Sequence, residues 1–396
     1  MKDLRAVSAD DPEAFLAQLR QALTASGDAL LPRPGAGAAT PVARVPIGTA
    51  IVIETSGSTG TPKRVLLSRS ALLSSAAASA SMLGGPGQWL LALPAHYVAG
   101  VQVLVRSIAA ETAPIMMPVG HFDPLDFARH AERLSEPLRY TSLVPVQLAR
   151  LLDAAADHLG VGDVLRRFTA ILVGGQAVPP ELMARARAAR VNLVRTYGSS
   201  ETAGGCVYNG QPIGTTRVRA VDGQLQISGP VLADGYLDDP DRTAAHFVLE
   251  AGSRWYRTGD LGEIDSAGHV SVTGRADNVI ISGGEKVSLD AVQALVRRQP
   301  RFADALVVGA DHPEWGRVPV IVLAGDILAG DILAGDAQTS AALAGLGDAV
   351  ARDLGRAARP ARLVVVAEIP LLASGKPDLR ALTTLVALAP ERGATP

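Results

Sequence analysis

The sequence is organised around Thr55-Ser56-Gly57-Ser58-Thr59-Gly60-Thr61-Pro62-Lys63, which follows an apolar run over residues 47–53. The run is typical of a buried strand. The stretch after it combines glycine, hydroxyl side chains and one lysine. Glycine lets backbone N–H groups approach an anion closely, while hydroxyl and ammonium groups add further donors. The composition therefore predicts a loop that grips a polyphosphate.

This loop differs from a Walker A motif, in which Gly-Lys is followed by Ser or Thr at the start of a helix. Here Arg64 follows Lys63, and residues 65–67 are again strand-like. A Gly/Ser-rich surface turn has the same composition, so the loop alone does not decide between the two interpretations.

Composition limits the class of protein. The chain has 396 residues, of which 48% are apolar, so two or three domains with sizeable cores are expected. The formal net charge of −2 argues against nucleic acid as the main partner. Cys206 is the only cysteine, which excludes an intramolecular disulfide and favours a small packed side chain. With no signal-peptide core and no run of ~18 apolar residues, we expect a soluble, cytoplasmic protein without a membrane span.

The first part of the chain alternates strand-like and helical stretches. The candidate strands are residues 89–93, 113–117, 139–143, 169–173 and 192–196, and the candidate helices are residues 69–83, 99–110, 124–134, 145–156 and 180–190. This alternation predicts a parallel α/β sheet covered by helices. Before it, residues 11–25 suit an amphipathic helix capped by Asp10 or Asp11. Residues 31–45, rich in Pro, Gly and Ala, predict a linker or surface loop.

The pattern changes after Tyr197. Short strand-like pieces over residues 224–228, 255–257, 261–264 and 269–273, with a hairpin turn at 265–268, predict a β-rich subdomain. Beyond a polar joint at 274–277, the candidate strands are 278–281, 303–308, 318–323 and 363–366, and the candidate helices are 288–298 and 338–355. The expected fold is α/β. A large N-terminal domain, residues 1–276, has layered α/β sheets plus the small β-rich subdomain, and a small mobile α+β C-terminal domain, residues 277–396, follows.

Three further islands are suited to nucleotide chemistry. Tyr197-Gly198-Ser199-Ser200-Glu201-Thr202 follows a candidate strand, where an aromatic ring can stack on a base and a carboxylate can hold Mg²⁺. Tyr256-Arg257-Thr258-Gly259-Asp260-Leu261 offers an aspartate for ribose hydroxyls. Ser374-Gly375-Lys376-Pro377 places a lysine on a glycine loop. Each island alone is also consistent with a surface turn or a solvated lysine.

In this order the islands resemble the motifs of the adenylate-forming superfamily, which includes acyl-CoA synthetases, peptide-synthetase adenylation domains and firefly luciferase. The resemblance covers about residues 47–380 and extends to the run GRADNVIISGGEKV at residues 274–287. It implies an enzyme, an AMP-forming acid–thiol ligase. Its cofactors and co-substrates would be ATP, Mg²⁺ and coenzyme A, and its remaining partner a small-molecule carboxylic acid.

The resemblance also implies roles for individual residues. The β- and γ-phosphates would be bound by Thr55, Ser56, Gly57, Ser58, Thr59, Gly60, Thr61 and Lys63. Tyr197, Gly198 and Ser199 would lie near adenine, and Gly174, Gly175 and Gln176 would lie at the edge of the adenine and acyl pocket. The ribose would be bound by Asp260 and Arg275. The catalytic set would be Lys376, Thr202, Glu201 and His96. In that set Lys376 bridges the carboxylate and the α-phosphate, Thr202 meets the α-phosphate, Glu201 holds the metal, and His96 gates the acyl site. Asp277 would be the hinge, and Gly283 and Gly284 would line the pantetheine tunnel.

Two stretches, LPAHYVAG at 93–100 and VGGQA at 173–177, resemble short members of the superfamily, the 2-succinylbenzoate–CoA ligases of menaquinone synthesis. The first motif begins at residue 55, which suggests a trimmed first subdomain. Gln176, His96 and Asn209 are the candidates for binding a second substrate carboxylate.

Three alternatives stay open: another aryl- or fatty-acid–CoA ligase, an amide-forming adenylating enzyme, or an inactive ATP-binding scaffold. A homodimer is also left open. The GxSxG and HExxH motifs of hydrolases are absent from the sequence.

Overall fold

The structure, a computed structural model, describes residues 1–24, 27–35, 40–55, 62–325, 337–371 and 377–389. Its contacts divide the chain into two compact units. The first unit comprises Met1–Thr258 and Ile264–Ser271, and the second comprises Gly259–Glu263 and Val272–Pro396. The domain boundary at residues 276 and 277 stays a prediction.

The first sheet of the first unit has mixed strand directions. Its strands are β1 Lys2–Ser8, β2 Ala29–Arg33, β3 Thr40–Val45, β4 Thr49–Thr55, β5 Lys63–Ser68 and β15 Gly235–Tyr236. Their order is β15-β5-β4-β2-β1-β3. The pairs β1–β2 and β2–β4 are parallel, and the other pairs are antiparallel. Along β4 the side chains alternate between two cores, because successive residues of a strand point to opposite faces.

Two expectations for this region are wrong. The predicted linker at residues 31–45 contains β3 and the end of β2, where Leu31 is fully buried. A short apolar run lies among prolines and glycines there, and averaging composition over fifteen residues concealed it. The strand expected at residues 47–53 begins instead at Thr49, and Ile47 is 65% exposed.

The second sheet confirms the predicted parallel α/β layer. Its strands are β6 Gln88–Leu91, β7 Ile115–Met116, β8 Arg139–Leu143, β9 Ala170–Val173, β10 Leu193–Ser199, β11 Gly204–Tyr208 and β12 Gln211–Pro212. Their order is β12-β11-β10-β9-β8-β6-β7. The strands from β10 to β7 are parallel, while β11 and β12 are antiparallel.

Helices pack against these two sheets. They are α1 Pro12–Ala22, which contacts β2 and β4 of the first sheet, and α2 Arg69–Leu83, α3 Val98–Ala109, α4 Pro124–Ala131, α5 Pro145–Asp157, α6 Leu159–Arg167 and α7 Pro180–Ala188. Asp11 caps α1 by accepting from the Ala14 N–H at 3.0 Å, which selects between the two predicted caps. Helix α6 was not predicted, because Gly160 and Gly162 interrupt its helical pattern. One core contains residues of α2 and α3, and a separate core contains residues of α4 to α7.

The β-rich part contains β13 Arg217–Val221, β14 Gln224–Ser228, β16 Phe247–Glu250, β17 Ser253–Ile264 and β18 Val270–Arg275, with α8 Pro240–His246 before β16. The pieces expected at 255–257 and 261–264 form one strand, β17, since Gly259 adopts a φ of +75° without ending the strand. The predicted hairpin turn is confirmed by the hydrogen bond from the Asp265 N–H to the His269 carbonyl at 3.0 Å.

The second unit confirms a compact α+β arrangement. Its further elements are β19 Val279–Ser282, β20 Glu285–Ser288, α9 Leu289–Val296, β21 Leu306–His312, β22 Gly316–Ala324, α10 Ala337–Leu354, β23 Arg362–Val366 and α11 Leu379–Leu388. The sheet order is β20-β19-β22-β21, and β23 pairs in parallel with β22. Separate apolar cores cover its two faces. Among the described residues, no helix is both long and apolar enough to cross a membrane.

Candidate functional site

Several predicted site residues lie at one edge of the second sheet. His96 follows β6, Gly174 follows β9, and Tyr197 lies near the end of β10. These strands are parallel members of one sheet, so their carboxyl ends lie at the same edge. The structure therefore brings together residues that the sequence places a hundred positions apart.

The base of the predicted phosphate loop lies next to the acidic island. Thr55 and Lys63 are paired residues of β4 and β5, while residues 56–61, which include Ser56, Gly57, Ser58, Thr59, Gly60 and Thr61, lie outside the described residues. The Lys63 Nζ is 3.6 Å from Oε1 of Glu201, whose side chain is only 6% exposed. An antiparallel hairpin thus places the loop lysine beside the predicted metal ligand.

A short 3-10 turn, Ser200–Thr202, presents this glutamate. The Thr202 hydroxyl accepts from the Ser199 N–H at 2.8 Å and lies 2.8 Å from the Gly204 carbonyl oxygen, to which it can donate. Thr202 is fully buried, so its hydroxyl stabilises the turn, and its contact with an α-phosphate stays a prediction. Ser200 belongs to the same turn and is 7% exposed.

A residue that the sequence analysis did not name contacts Glu201. The Tyr236 hydroxyl donates to Glu201 Oε1 at 2.9 Å, and Tyr236 is 5% exposed. Burial raises the pKa of Tyr236, and the neighbouring Glu201 carboxylate raises it further, so the phenol stays protonated and remains a donor. No sequence pattern indicated this contact, because it depends on the pairing of β15 with β5.

Gly198 occupies a position where β10 and β11 approach closely. A Cβ there would lie 2.1 Å from the Gly204 carbonyl oxygen, a backbone atom that cannot rotate away. We expect Gly198→Ala to separate the strands and displace the turn that carries Glu201, with a loss of about 2–3 kcal/mol in the free energy of unfolding. Calorimetric melting and ATP binding measure the two effects.

Gly160→Ala is the control for that change, because a Cβ at Gly160 meets nothing within 4 Å. Its helical position predicts unchanged stability or a gain of up to about 1 kcal/mol. Equal melting temperatures for the two variants would contradict the role given to Gly198.

His96 is half-buried, and its ring lies against Tyr97 with 4.1 Å between ring centroids. Burial lowers the pKa of His96, and the charge of Asp10 opposes this only in part, so the neutral imidazole is favoured at neutral pH. Asn209 lies beside β10. Its Oδ1 accepts from the N–H of Arg195 at 2.9 Å, and Arg195 pairs with Val173, the last residue of β9. Its role in binding a substrate carboxylate stays a prediction.

Three predicted residues meet in the second unit. Arg275 donates twice to Asp277, at 2.8 and 2.9 Å, and once to Asp260, at 3.1 Å. The Arg275 N–H also donates to Asp290 at 2.7 Å, which ties this segment to α9. The aspartate expected at the ribose and the aspartate expected at the hinge thus share one guanidinium group.

Gly283 and Gly284 form the two-residue turn between β19 and β20. Their φ values of +56° and +86° suit the turn type that joins tight hairpins and that glycine adopts without strain. An open groove of about 610 Å³ lies beside the turn and is lined in part by Trp315 and Arg317. A Cβ at Gly283 would come within 2.6 Å of the Trp315 ring, so only glycine lets that ring pack there.

Lys376 lies outside the described residues. Cys206 is fully buried, and burial raises the pKa of its thiol to about 12, which makes it a packing residue as predicted. Among the described residues there is no group of three or more His, Cys, Asp or Glu side chains that could hold a metal by themselves.

Sequence comparison defines the family. The chain matches the family described as AMP-binding enzyme over residues 4–237 and the AMP-binding enzyme C-terminal domain over residues 291–376. Because the first match alone spans more than half of the chain, the protein belongs to the AMP-binding enzyme family.

Individual relatives refine this assignment. The chain is 39% identical over 340 residues to the probable 2-succinylbenzoate–CoA ligase of Mycobacterium tuberculosis H37Rv, covering 84% of this chain and 83% of the relative. The o-succinylbenzoate coenzyme A synthetase of Bacillus subtilis, solved in complex with ATP and magnesium ion, is similar with a TM-score of 0.67 and 26% identity, covering 85% and 70% of the two chains. The amide bond synthetase McbA of Marinactinospora thermotolerans gives a TM-score of 0.72 and 25% identity, covering 97% and 80%.

Proposed function

We propose that this protein is an AMP-forming acid–CoA ligase that activates 2-succinylbenzoate, a step of menaquinone synthesis. The observation that carries the proposal is the 39% identity to the probable 2-succinylbenzoate–CoA ligase over 84% of this chain. The clustering of His96, Gly174 and Tyr197 at one sheet edge agrees with it, because ligands of open α/β sheets bind at the carboxyl ends of strands.

The first half-reaction makes the acid reactive. A carboxylate oxygen attacks the α-phosphorus of ATP, the bond to pyrophosphate breaks, and an acyl adenylate forms. Two anions must approach each other, so fixed positive charge and N–H donors at the phosphates lower the barrier. Lys63 and Thr202 are candidate contacts in the first unit, and Lys376 is the candidate from the sequence motif. A phosphate oxygen would accept from the Thr202 hydroxyl in place of the Gly204 carbonyl oxygen, which lies 2.8 Å away.

The residues present suit a nucleotide with a magnesium ion. The Thr55 Oγ1 and Ser199 Oγ atoms are buried without a hydrogen-bond partner in the described part of the chain, as expected of atoms whose partner is a ligand. Magnesium usually binds through one or two carboxylates plus substrate phosphates, so Glu201 alone is a sufficient protein ligand. When bound, the ion would neutralise phosphate charge.

The second half-reaction transfers the acyl group. The thiolate of coenzyme A attacks the acyl carbonyl carbon, and AMP leaves with the electrons of the C–O bond. We propose that Asp277 is the hinge. Rotation about it would move Lys376 out of the site and bring the Gly283–Gly284 turn in. The groove of about 610 Å³ beside that turn is our candidate for part of coenzyme A.

Residues at the carboxyl edge of the second sheet would select the acid. 2-Succinylbenzoate has an aromatic ring and a second carboxylate, which needs a donor. Gln176 follows β9 at this edge and is exposed, so its amide N–H₂ is available. His96 is half-buried at the same edge, where a neutral ring N–H is a second donor.

One alternative has its own support. The similarity to the amide bond synthetase covers 97% of this chain with a TM-score of 0.72, so an amine remains a second candidate acceptor. A homodimer and a cytoplasmic location, where ATP and coenzyme A are available, also belong to the proposal.

A panel of carboxylic acids tests the proposal. Pyrophosphate release should depend on the acid, be fastest with 2-succinylbenzoate, and yield a thioester only when coenzyme A is present. Formation of an amide from a supplied amine, with no thioester from coenzyme A, would select the amide-forming alternative. ATP binding in a thermal-shift assay without pyrophosphate release from any acid would favour the inactive scaffold, and an absence of ATP binding would overturn both enzymatic functions.

A further inference from the structure

The carboxylate of Glu201 has two oxygens in different environments. Oε1 accepts from the Tyr236 hydroxyl at 2.9 Å and lies 3.6 Å from the Lys63 ammonium. In the part of the chain that the structure describes, Oε2 has no hydrogen bond. One oxygen is therefore held by the protein, and the other remains available to a ligand.

Tyr236 is itself held in one orientation. Its N–H donates to Thr243 Oγ1 at 2.9 Å, and its strand pairs with β5 opposite Val65. Phe247 and His246 pack against its ring, with centroids 5.8 and 5.9 Å away. A ring fixed on several sides aims its hydroxyl in a defined direction, which a side chain on a mobile loop could not do.

The backbone around Glu201 is fixed from the same segment. The Ala233 N–H donates to the Glu201 carbonyl at 2.8 Å, three residues before Tyr236. Residues 233–236 therefore hold both the main chain and the side chain of Glu201. Partners of metal-binding side chains commonly orient them in this way, and removing such a partner weakens metal affinity.

We propose that Tyr236 is a positioning residue that holds Oε1 of Glu201 so that Oε2 is presented to the magnesium ion of the bound nucleotide. This inference rests on the proposed function, because it requires ATP and magnesium at Glu201. Lys63 shares Oε1 with Tyr236 and leaves Oε2 free in the same way. The tyrosine acts through the glutamate and touches neither substrate nor metal.

The test compares Tyr236→Phe with the wild type in the full-length chain. We expect the free Mg²⁺ concentration for half-maximal ATP–pyrophosphate exchange to rise about 10- to 100-fold, the usual cost of losing a partner of a metal ligand. Independently of activity, the extra rise in melting temperature that Mg²⁺ adds to ATP, relative to ATP with EDTA, should be lost. The rise caused by ATP with EDTA should be kept.

Tyr140→Phe is the matched control. Tyr140 is also buried in the first unit, and its hydroxyl donates to the Leu83 carbonyl at 3.0 Å, without contact to Glu201. This variant should lose stability while keeping the wild-type Mg²⁺ requirement. An equal change in both variants, or a Mg²⁺ requirement in Tyr236→Phe within twofold of the wild type, overturns the inference.

Two further measurements complete the test. With 4-aminophenylalanine at position 236, a donor is kept in the same ring position, so wild-type Mg²⁺ dependence should return even if Tyr236→Phe does not fold. A weak Mg²⁺ response in that folded protein contradicts the proposal. In a Glu201→Gln background, Tyr236→Phe should change Mg²⁺ dependence no further. If the wild type itself fails to bind ATP, the proposed function fails instead, which separates the two outcomes.

Discussion

Replacement of Lys376 by alanine should slow acyl-adenylate formation by roughly 10²–10³-fold, the usual loss when one donor to transition-state charge is removed. The carboxylate and the triphosphate repel each other as the new C–O–P linkage forms. A lysine that bridges both groups offsets this repulsion most strongly in the transition state, so kcat should fall more than substrate affinity. ATP–pyrophosphate exchange at saturating acid measures this rate.

The same variant should convert chemically supplied acyl adenylate to thioester at the wild-type rate, because the lysine acts only in the first half-reaction. Lys286→Ala is the control, since this exposed lysine of β20 also belongs to the second unit. Lys376 is assigned from its sequence motif and lies outside the described residues. Exchange at the wild-type rate in Lys376→Ala would remove the lysine from the mechanism.

Replacement of Asp277 by proline should have the opposite pattern: adenylation is kept and thioester formation falls by at least about 10²-fold, the scale of a misplaced reacting group. Proline fixes φ near −65° and also restricts the residue before it. Asp277 lies in the 3-10 turn Ala276–Asn278, whose φ values proline tolerates, while the helical conformation of Ala276 becomes less favourable before a proline. The turn should therefore be kept at some cost in stability, which thermal melting measures, while rotation about φ of residue 277 is prevented.

Asp277→Ala distinguishes the effect of backbone rotation at residue 277 from the effect of its ion pair with Arg275. It removes the carboxylate that accepts from Arg275 at 2.8 and 2.9 Å, but leaves φ free, so both half-reactions should continue. Single-turnover assays of adenylate and thioester formation distinguish the cases. Equal loss of both half-reactions in Asp277→Pro would show that residue 277 is not a hinge between them.

Much of the fold could be predicted because its signals are local. The strand at Arg139–Leu143 and the helix at Arg69–Leu83 agree with the predicted bounds, since their apolar spacing is regular and turn residues flank them. The N-terminal strands β2 and β3 were missed where prolines and glycines flank short apolar runs. Their strand character depends on pairing with β1, a partner that local composition does not reveal.

The residues of the candidate site also divide into those that the local sequence indicates and those that only the fold reveals. The sequence alone determined the motif residues, such as Glu201 and Lys63, because glycine, hydroxyl and charged residues at fixed spacing carry their chemistry in the chain order. Only the tertiary structure decided that Tyr236, 35 residues later, binds Oε1 of Glu201 and that the Thr202 hydroxyl is enclosed in its own turn. Such contacts depend on strand pairing and on burial, which bring distant residues within hydrogen-bond distance and remove neighbouring ones from solvent.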